Sequence, residues 1–477
     1  MTFAAFSNAK VVRSSWLNEG GRRLDCNPYM SGALEARDKL IGLEARKDSL
    51  KSLTAGHAGG IYNGPMFKRN YVNSPFHGVP FITSGTMLLS DLGTLPLLRR
   101  RDAESARLSY LRLRTGTTMI SCSGTIGRMS YVRPDMEGMW SSQDVLKVVP
   151  DEAVVPPGYV YAFLSSKYGV PLVTSGTYGA IIQHIEAHHI ADLPVPRFGS
   201  NFECSIHNLI DKAASLRADA TAKLAEAQRL LTEALGSPAI PSAHLADRDR
   251  LTQVIRCSDI RRTMRMEGYF YNPTAARVDQ WTASFGSRCR PLGALADVYD
   301  VPPFKHIYVE AGHGIPFFTS GELFDIDRTA NKFLSISRTV NLQKYVLQQD
   351  WVLLARSGQL GGIIGRPQYA DSGLNATATS DHVIRVVPRE VPGGYLYAYL
   401  YSSVVGYPLL TRTMTGHSIP ALWPSQLKSL PVVLASPDEM TAISTLVVAA
   451  FEEKVLATAL EKQARVEVEA AIEDGSG

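Results

Sequence analysis

The sequence predicts a mixed α/β protein made of two tandem copies of one domain, each copy followed by a long helix. Three observations carry this expectation. The chain repeats itself at an offset of about 234 to 242 residues. Short β-branched or aromatic runs alternate with Gly and Pro turns. Alanine returns at every seventh position of two amphipathic stretches. Together they divide the chain into an N-terminal segment (1–21), a first copy (22–200) with its helix (201–236), a linker (237–261), and a second copy (262–436) with its helix (437–474).

The repeat runs in order through the chain. Arg23-Leu24-Asp25 with Tyr29 answers to Arg265-Met266-Glu267 with Tyr271. Phe67-Lys68 and Tyr71-Val72 answer to Phe304-Lys305 and Tyr308-Val309, and the run from Val79 to Gly85 answers to that from Ile315 to Gly321. Ser123-Gly124-Thr125-Ile126-Gly127 pairs with Ser357-Gly358-Gln359-Leu360-Gly361, and Val148-Val149-Pro150 with Val386-Val387-Pro388. Gly158-Tyr159, Gly179 and Leu193-Pro194-Val195 recur as Gly394-Tyr395, Gly416 and Leu430-Pro431-Val432. Between these landmarks, Thr118 to Ser121, Val145 to Val149, Val352 to Leu354 and Val383 to Val387 read as strands.

Each copy ends in a seam of period 3.5. Ile206, Ala213, Ala220, Ala227 and Ala234 mark the first helix, and Ile443, Ala450, Ala457, Ala464 and Ala471 the second. Leu209, Leu216 and Leu230, with Leu446 and Leu460, are the companion positions. Alanine lets two axes approach closely, so the helices are expected to pack on each other; the alternative is that each caps only its own domain. Gly236 and Pro238 close the first helix.

The chain has 477 residues, 45% hydrophobic and 20% charged, which suits two or three globular domains. A net charge of +4 is compatible with a polyanionic partner without requiring one. Five scattered cysteines, none in a C-x-x-C pair, indicate neither a disulfide framework nor structural zinc and suit a reducing cytoplasm. Neither a signal peptide nor a membrane span is expected.

The doubled series of an R-L-D-x3-Y-like opening, S-G-T-I-G, a G-x3-Q-H-I and L-P-V-P close, and a long helix resembles the specificity (S) subunit of type I restriction-modification enzymes, over about Arg22 to Ile472. The resemblance implies two target-recognition domains with pseudo-two-fold symmetry, separated by an antiparallel coiled-coil pair of helices. It also implies a non-catalytic chain that binds double-stranded DNA and two DNA adenine methyltransferase subunits, with restriction or translocase subunits in many systems. S-adenosylmethionine, ATP and Mg are then expected only in those partners. The second copy departs from the pattern at Gln359-Leu360 and carries Pro420-Ala421 where the first has Gln183-His184.

Two unlike readers on a rod imply a bipartite, asymmetric target. Thirty helical residues from Ile206 to Leu235 would span roughly 45 Å, beyond one turn of B-DNA at about 34 Å. Residues 60–200 hold 13 basic and 10 acidic side chains, and residues 285–435 the same numbers. Candidate DNA contacts in the first copy are Lys68, Arg69, Arg99, Arg100, Arg101, Arg107, Arg112, Arg114, Arg128, Gln183 and His184. In the second they are Lys305, His306, Arg328, Lys332, Arg338, Lys344, Arg356 and Arg366. A charge run is also what a plain solvated face looks like, and the glycines at 124, 127, 358 and 361 are expected to serve turns.

The His184, Glu186, His188 and His189 cluster lacks H-E-x-x-H and paired cysteines, so packing is preferred to metal binding. No catalytic residue, methyltransferase motif or G-x4-G-K-[ST] loop is found in the sequence. Two other readings stand beside the first: the specificity chain of a compact system whose partner fuses methylation with cleavage, and a tandem-repeat scaffold that binds no DNA.

Overall fold

The computed structural model describes residues 12–14, 16, 29, 31–175, 184–238, 254–359, 361–416 and 418–475. The opening Arg23-Leu24-Asp25, Cys26, Gly179, Gln183, Leu360 and most of the 237–261 linker lie outside them; within the linker's span, Cys257 begins a helix that runs to Thr263. Two compact units divide the chain, one of residues 1–89, 93–218 and 456–477, the other of 90–92 and 219–455.

The first unit contains β1 (Lys47–Ser49), β2 (Ile61–Tyr62), β3 (Tyr71–Val72), β4 (Gly78–Ile82), β5 (Leu97–Arg99), β6 (Thr118–Ser121), β7 (Met129–Tyr131), β8 (Trp140–Ser141), β9 (Val145–Val148) and β10 (Pro194–Pro196). One four-stranded sheet has the order β2-β9-β6-β7 and is antiparallel throughout. The other has the order β3-β5-β4-β8, with β4 and β8 parallel, and β1 pairs with β10. Strands β6 and β9 are buried at every residue, which is why they read as continuous rather than alternating runs. The helix α1 (Pro157–Leu164), likewise buried throughout, packs on β6 and β7.

The second unit repeats this strand for strand: β11 (Cys289–Pro291), β12 (Ala296–Tyr299), β13 (Tyr308–Val309), β14 (Gly314–Phe318), β15 (Phe333–Ser335), β16 (Val352–Ala355), β17 (Pro367–Tyr369), β18 (Ala378–Thr379), β19 (Val383–Pro388) and β20 (Pro431–Val433). Its sheets are β12-β19-β16-β17, β13-β15-β14-β18 with β14 and β18 parallel, and β11-β20. The helix α2 (Gly393–Tyr401) takes the place of α1. The internal repeat in the sequence is therefore a repeat of topology.

The two long helices are Ser200–Leu235 and Pro437–Asp474. The division between units falls inside both helices rather than at their ends, because their apolar faces belong to the unit cores. In the first unit Ile206, Ile210 and Ala214 share a core with Ala464, Val468 and Ile472, and Ala213 and Leu216 pack with Ala457 and Leu460. In the second unit Ala220, Leu224, Ala227 and Leu231 share a core with Ile443, Val447, Ala450 and Phe451. Early residues of one helix meet late residues of the other, so the pair is antiparallel. Ile206, Ala213, Ala220, Ala227, Ile443, Ala450, Ala457 and Ala464 are fully buried, Ala471 is nearly so, and Ala234 is half-buried.

The deepest companions differ from those the heptad count singled out. Ile210, Leu224, Leu231, Val447 and Val468, four residues past a seam position, are buried more fully than Leu209, Leu230, Leu446 and Leu460, three residues past, whereas the expected companion Leu216 is as buried as Leu224. The reason is that each helix faces a domain body as well as its partner, which widens the apolar stripe beyond a two-helix seam.

Two repeated dipeptides dock the long helices. A Cβ on Gly158 would stand 2.9 Å from the Cα of His207, and one on Gly394 would stand 2.8 Å from the Cα of Ser444, so only glycine permits this approach. The adjoining Tyr159 hydroxyl donates to the carbonyl of Pro196, and the Tyr395 hydroxyl to that of Val433 at 2.5 Å. The Gly-Tyr and Leu-Pro-Val motifs thus meet in each unit.

One companion position in each half of the first unit's helix pair is charged: Arg217 and Glu461 form a salt bridge while only 3% and 4% exposed. Arg217 also donates to the Thr458 hydroxyl at 3.3 Å. Glu461→Ala strips the acid from buried Arg217 and is expected to cost about 3–5 kcal/mol, and Arg217→Ala less, because Arg465 stays 4.0 Å from the Glu461 carboxylate. The double replacement Arg217→Met with Glu461→Leu is expected to be neutral or stabilising; urea unfolding of the three variants measures both effects.

Candidate nucleic-acid interface

In the first unit, β5 ends at Arg99 and passes directly into a helical turn at Arg100–Ala103, so the three consecutive arginines point in different directions. Arg99 grips Asp102 through two hydrogen bonds of 2.9 and 2.7 Å, an arrangement that lowers the Asp102 pKa. Arg100 pairs with Glu104 at 3.2 Å and donates to the Gly78 carbonyl at 3.1 Å. Arg101 is exposed. Arg107 donates to the Met66 carbonyl at 2.9 Å, Arg112 lies over the Trp140 ring, and Arg69 pairs with Asp144 at 2.8 Å. Arg128 is exposed beside the 123–127 turn, where Gly127 has φ 83°, and Ser123 bridges to His184.

In the second unit, Arg328 is bound to the fully buried Asp371 at 2.5 Å, Lys332 to Glu322 at 3.0 Å, and Arg356 to Asp300 at 3.3 Å with its guanidinium over Trp423. Arg366 donates to the Gly361 carbonyl, and Gly361 has φ 80°. His306 sits in an aromatic cluster with Phe304, Tyr308 and Phe317. Arg107, Arg112, Arg366 and His306 contact carbonyls or rings, Arg128 and His184 lie beside the 123–127 turn, and the other described candidates fall into two sets. Arg69, Arg99, Arg100, Arg328, Lys332 and Arg356 are held by acidic side chains of their own unit. Lys68, Arg101 and Arg114 in the first unit, and Lys305, Arg338 and Lys344 in the second, are exposed and make no ion pair among the described residues.

No group of three or more His, Cys, Asp or Glu side chains suited to a metal ion occurs among the described residues. Within the histidine cluster, Glu186 and His189 cap the short helix Ala187–Ile190 reciprocally, with the Glu186 amide donating to His189 Nδ1 at 2.9 Å. His188 lies 3.5 Å from the Glu186 carboxylate. Among the described residues no helix is long and apolar enough to cross a membrane.

A matched pair of buried cations was not among the sequence candidates. Lys147 in β9 and Arg385 in β19 occupy the same register and are both 0% exposed. Lys147 Nζ donates to the carbonyls of Ser142 (3.1 Å) and Val145 (2.8 Å), facing the Tyr62 ring. Arg385 donates to the carbonyls of Thr379 (3.2 Å), Ser380 (3.3 Å) and Val383 (2.6 Å). Each cation thus ties down the turn that enters its strand. The available signal was a basic residue placed just before the repeated Val-Val-Pro in an otherwise apolar run. Burial brings the Lys147 pKa down to about 7 and the Arg385 pKa down to about 10, and it raises the neighbouring Cys122 thiol to about 11.

Comparison with solved structures finds chains similar over nearly the whole length. The S subunit of a type I restriction-modification system from M. genitalium is 12% identical, with 91% of this chain and 96% of that chain covered and a TM-score of 0.37. The HsdS subunit from Thermoanaerobacter tengcongensis is 14% identical, with 91% and 96% covered and a TM-score of 0.27. A chain from a structure concerned with complex assembly and conformational transition of the type I R-M system is 14% identical, with 90% and 97% covered and a TM-score of 0.28. No protein-family model and no curated protein matches the sequence.

The Lys147 environment gives stability a definite pH dependence. Its folded pKa is below that of an unfolded lysine, so between about pH 7 and 9 the unfolded chain binds the extra proton and stability rises with pH. Lys147→Met is expected to flatten that rise, while the Ser142 and Val145 carbonyls it leaves unpaired lower stability at every pH, as read by urea unfolding at pH 7, 8 and 9.

Proposed function

We propose that this chain belongs to the class of non-catalytic DNA-reading scaffolds, in which two related but unlike bodies each contact a separate stretch of one duplex. More particularly, it is the specificity subunit of a type I restriction-modification complex, reading a bipartite, asymmetric target and positioning the subunits that act on it. The observation that carries this reading is the duplication itself: one ten-strand body occurs twice, with each copy built on the same antiparallel pair of long helices. Lys68, Arg101 and Arg114 in the first copy and Lys305, Arg338 and Lys344 in the second are exposed and in no ion pair among the described residues, which suits contact with phosphate.

In this reading Lys68, Arg101 and Arg114, with Lys305, Arg338 and Lys344, hold the DNA backbone, and residues at the loop tips between them distinguish bases. The partners are double-stranded DNA and two adenine methyltransferase subunits, joined in a restricting complex by translocase subunits. S-adenosylmethionine, ATP and Mg belong to those partners, and the complex works in the cytoplasm. The proposed dependence of the target's gap on the helices starts from their lengths, 36 and 38 residues.

Co-expression with its methyltransferase and genome-wide mapping of methylated adenine tests the proposal. The expected result is one two-part motif with a constant unread gap. Binding of the purified complex to duplex DNA should fall steeply with salt, and indifference to DNA at low ionic strength would sink the reading in favour of a scaffold for some other ligand. Inserting one heptad into each long helix, beside Ala220 and Ala457, adds about 10 Å to each. The gap is expected to lengthen by at most about three base pairs at 3.4 Å each while both half-sites stay the same; an unchanged gap would refute the spacing role of the helices.

A further inference from the structure

The most exposed large apolar side chains among the described residues of the first unit's body are Met66 and Phe76, 83% and 81% exposed. Both sit in loops whose backbones are braced by arginines. Phe76 belongs to the loop 73–77 between β3 and β4. Arg100 reaches across this loop: its guanidinium lies 3.4 Å from the carbonyls of Pro75 and Phe76 and 3.1 Å from that of Gly78, and its amide donates to the His77 carbonyl at 2.8 Å. The Phe76 ring touches His77 edge-on at 4.9 Å. Met66 is held in the same way, its carbonyl accepting from Arg107 at 2.9 Å. Two arginines that a charge count would assign to phosphate instead fix two loops that point apolar groups into solvent. Lys68 lies two residues after Met66 and Arg101 directly after Arg100, and neither makes an ion pair among the described residues.

The second unit supplies an internal control. Its matching hairpin starts from the same scaffold, Val309 and Gly314 standing for Val72 and Gly78. A Cβ on Gly78 would lie 2.7 Å from Leu97 Cβ, and one on Gly314 2.8 Å from the Leu334 carbonyl, so both copies need glycine there. The tip, however, is Asn-Ser-Pro-Phe-His in one copy and Glu-Ala-Gly-His in the other. In the second copy the segment after β15 carries the exposed Ile336 and Val340, which flank Arg338, while Met264, Met266, Ile419 and Trp423 are exposed elsewhere in that copy. A constant frame with a variable tip, and cations in no ion pair nearby in sequence, suits contact with differing base sequences.

We infer that Phe76, with Met66 beside it in function, is a specificity-determining group that makes apolar contact with base edges or base steps of duplex DNA in the half-site read by the first unit. Phenylalanine can pack on a thymine methyl or wedge against a base step, and flanking lysine and arginine hold the adjoining phosphates. The inference rests on the DNA-reading proposal above and assigns residues within it.

The test uses the full chain co-expressed with its methyltransferase, comparing methylated-adenine maps for the parent, Phe76→Ala, Met66→Ala and Arg101→Ala. For Phe76→Ala the expected result is that methylation at sites altered by one base in one half of the motif rises on the order of tenfold relative to the intact motif, with the other half as strict as before. Met66→Ala should relax the same half, and Arg101→Ala should lower methylation evenly at all sites. Unchanged stringency in Phe76→Ala overturns the inference, as does uniform loss of methylation across both halves. If the parent itself directs no two-part motif, the functional proposal fails, a result distinct from either of these.

Discussion

Two helix axes can approach closely only where the groups between them are small, and the alanines at 213, 220, 227, 450, 457 and 464 meet that condition at every second turn. Much else in the structure depends on it. Because the seam is narrow, the residues beside it, Ile210, Leu224, Leu231, Val447 and Val468, also reach the unit cores. Each long helix is therefore part of two hydrophobic cores along its length. Gly158 and Gly394 extend the same logic outward, since bare backbone lets α1 and α2 press on the helices where any side chain would collide. The neighbouring tyrosines then fasten the closing strands β10 and β20 to the same point.

Burying the charged groups inside this arrangement costs desolvation that their pairing offsets. Arg217 and Glu461 take the companion positions that isoleucine, leucine and valine take elsewhere, so sliding one helix past the other would bury each against apolar neighbours. The two copies differ here, because the positions corresponding to Arg217 and Glu461 are Lys454 and Leu224. Lys147 and Arg385 show the opposite behaviour. The cation is kept in both copies, because it answers the carbonyls of the turn entering β9 or β19, which the sheet itself leaves free. What is identical in the copies is backbone geometry, and what differs is at helix contacts and loop tips.

The exposed surface follows the same division. A count of lysine and arginine treats all cations alike, but acidic partners within each unit hold Arg69, Arg99, Arg100, Arg328, Lys332 and Arg356, while Lys68, Arg101, Arg114, Lys305, Arg338 and Lys344 stand clear. Arg100 and Arg107 serve their loops before they could serve any ligand. The basic run that stands out in the sequence is thus partly scaffold, and the groups fit for recognition are fewer and more scattered.

Periodicity and repetition are properties of the chain read one residue at a time, so the duplication, the strands at Thr118 to Ser121 and Val383 to Val387, and both alanine seams could be read from the sequence alone. Pairing between distant residues is not such a property. That β9 lies between β2 and β6, that Arg217 meets Glu461, that Arg328 is spent on Asp371, and that Phe76 stands exposed on a braced loop all depend on which segments pack together. A pattern of side-chain types specifies which face of an element is buried; only the closed tertiary fold decides which partner meets that face, and so which charges remain available for a ligand.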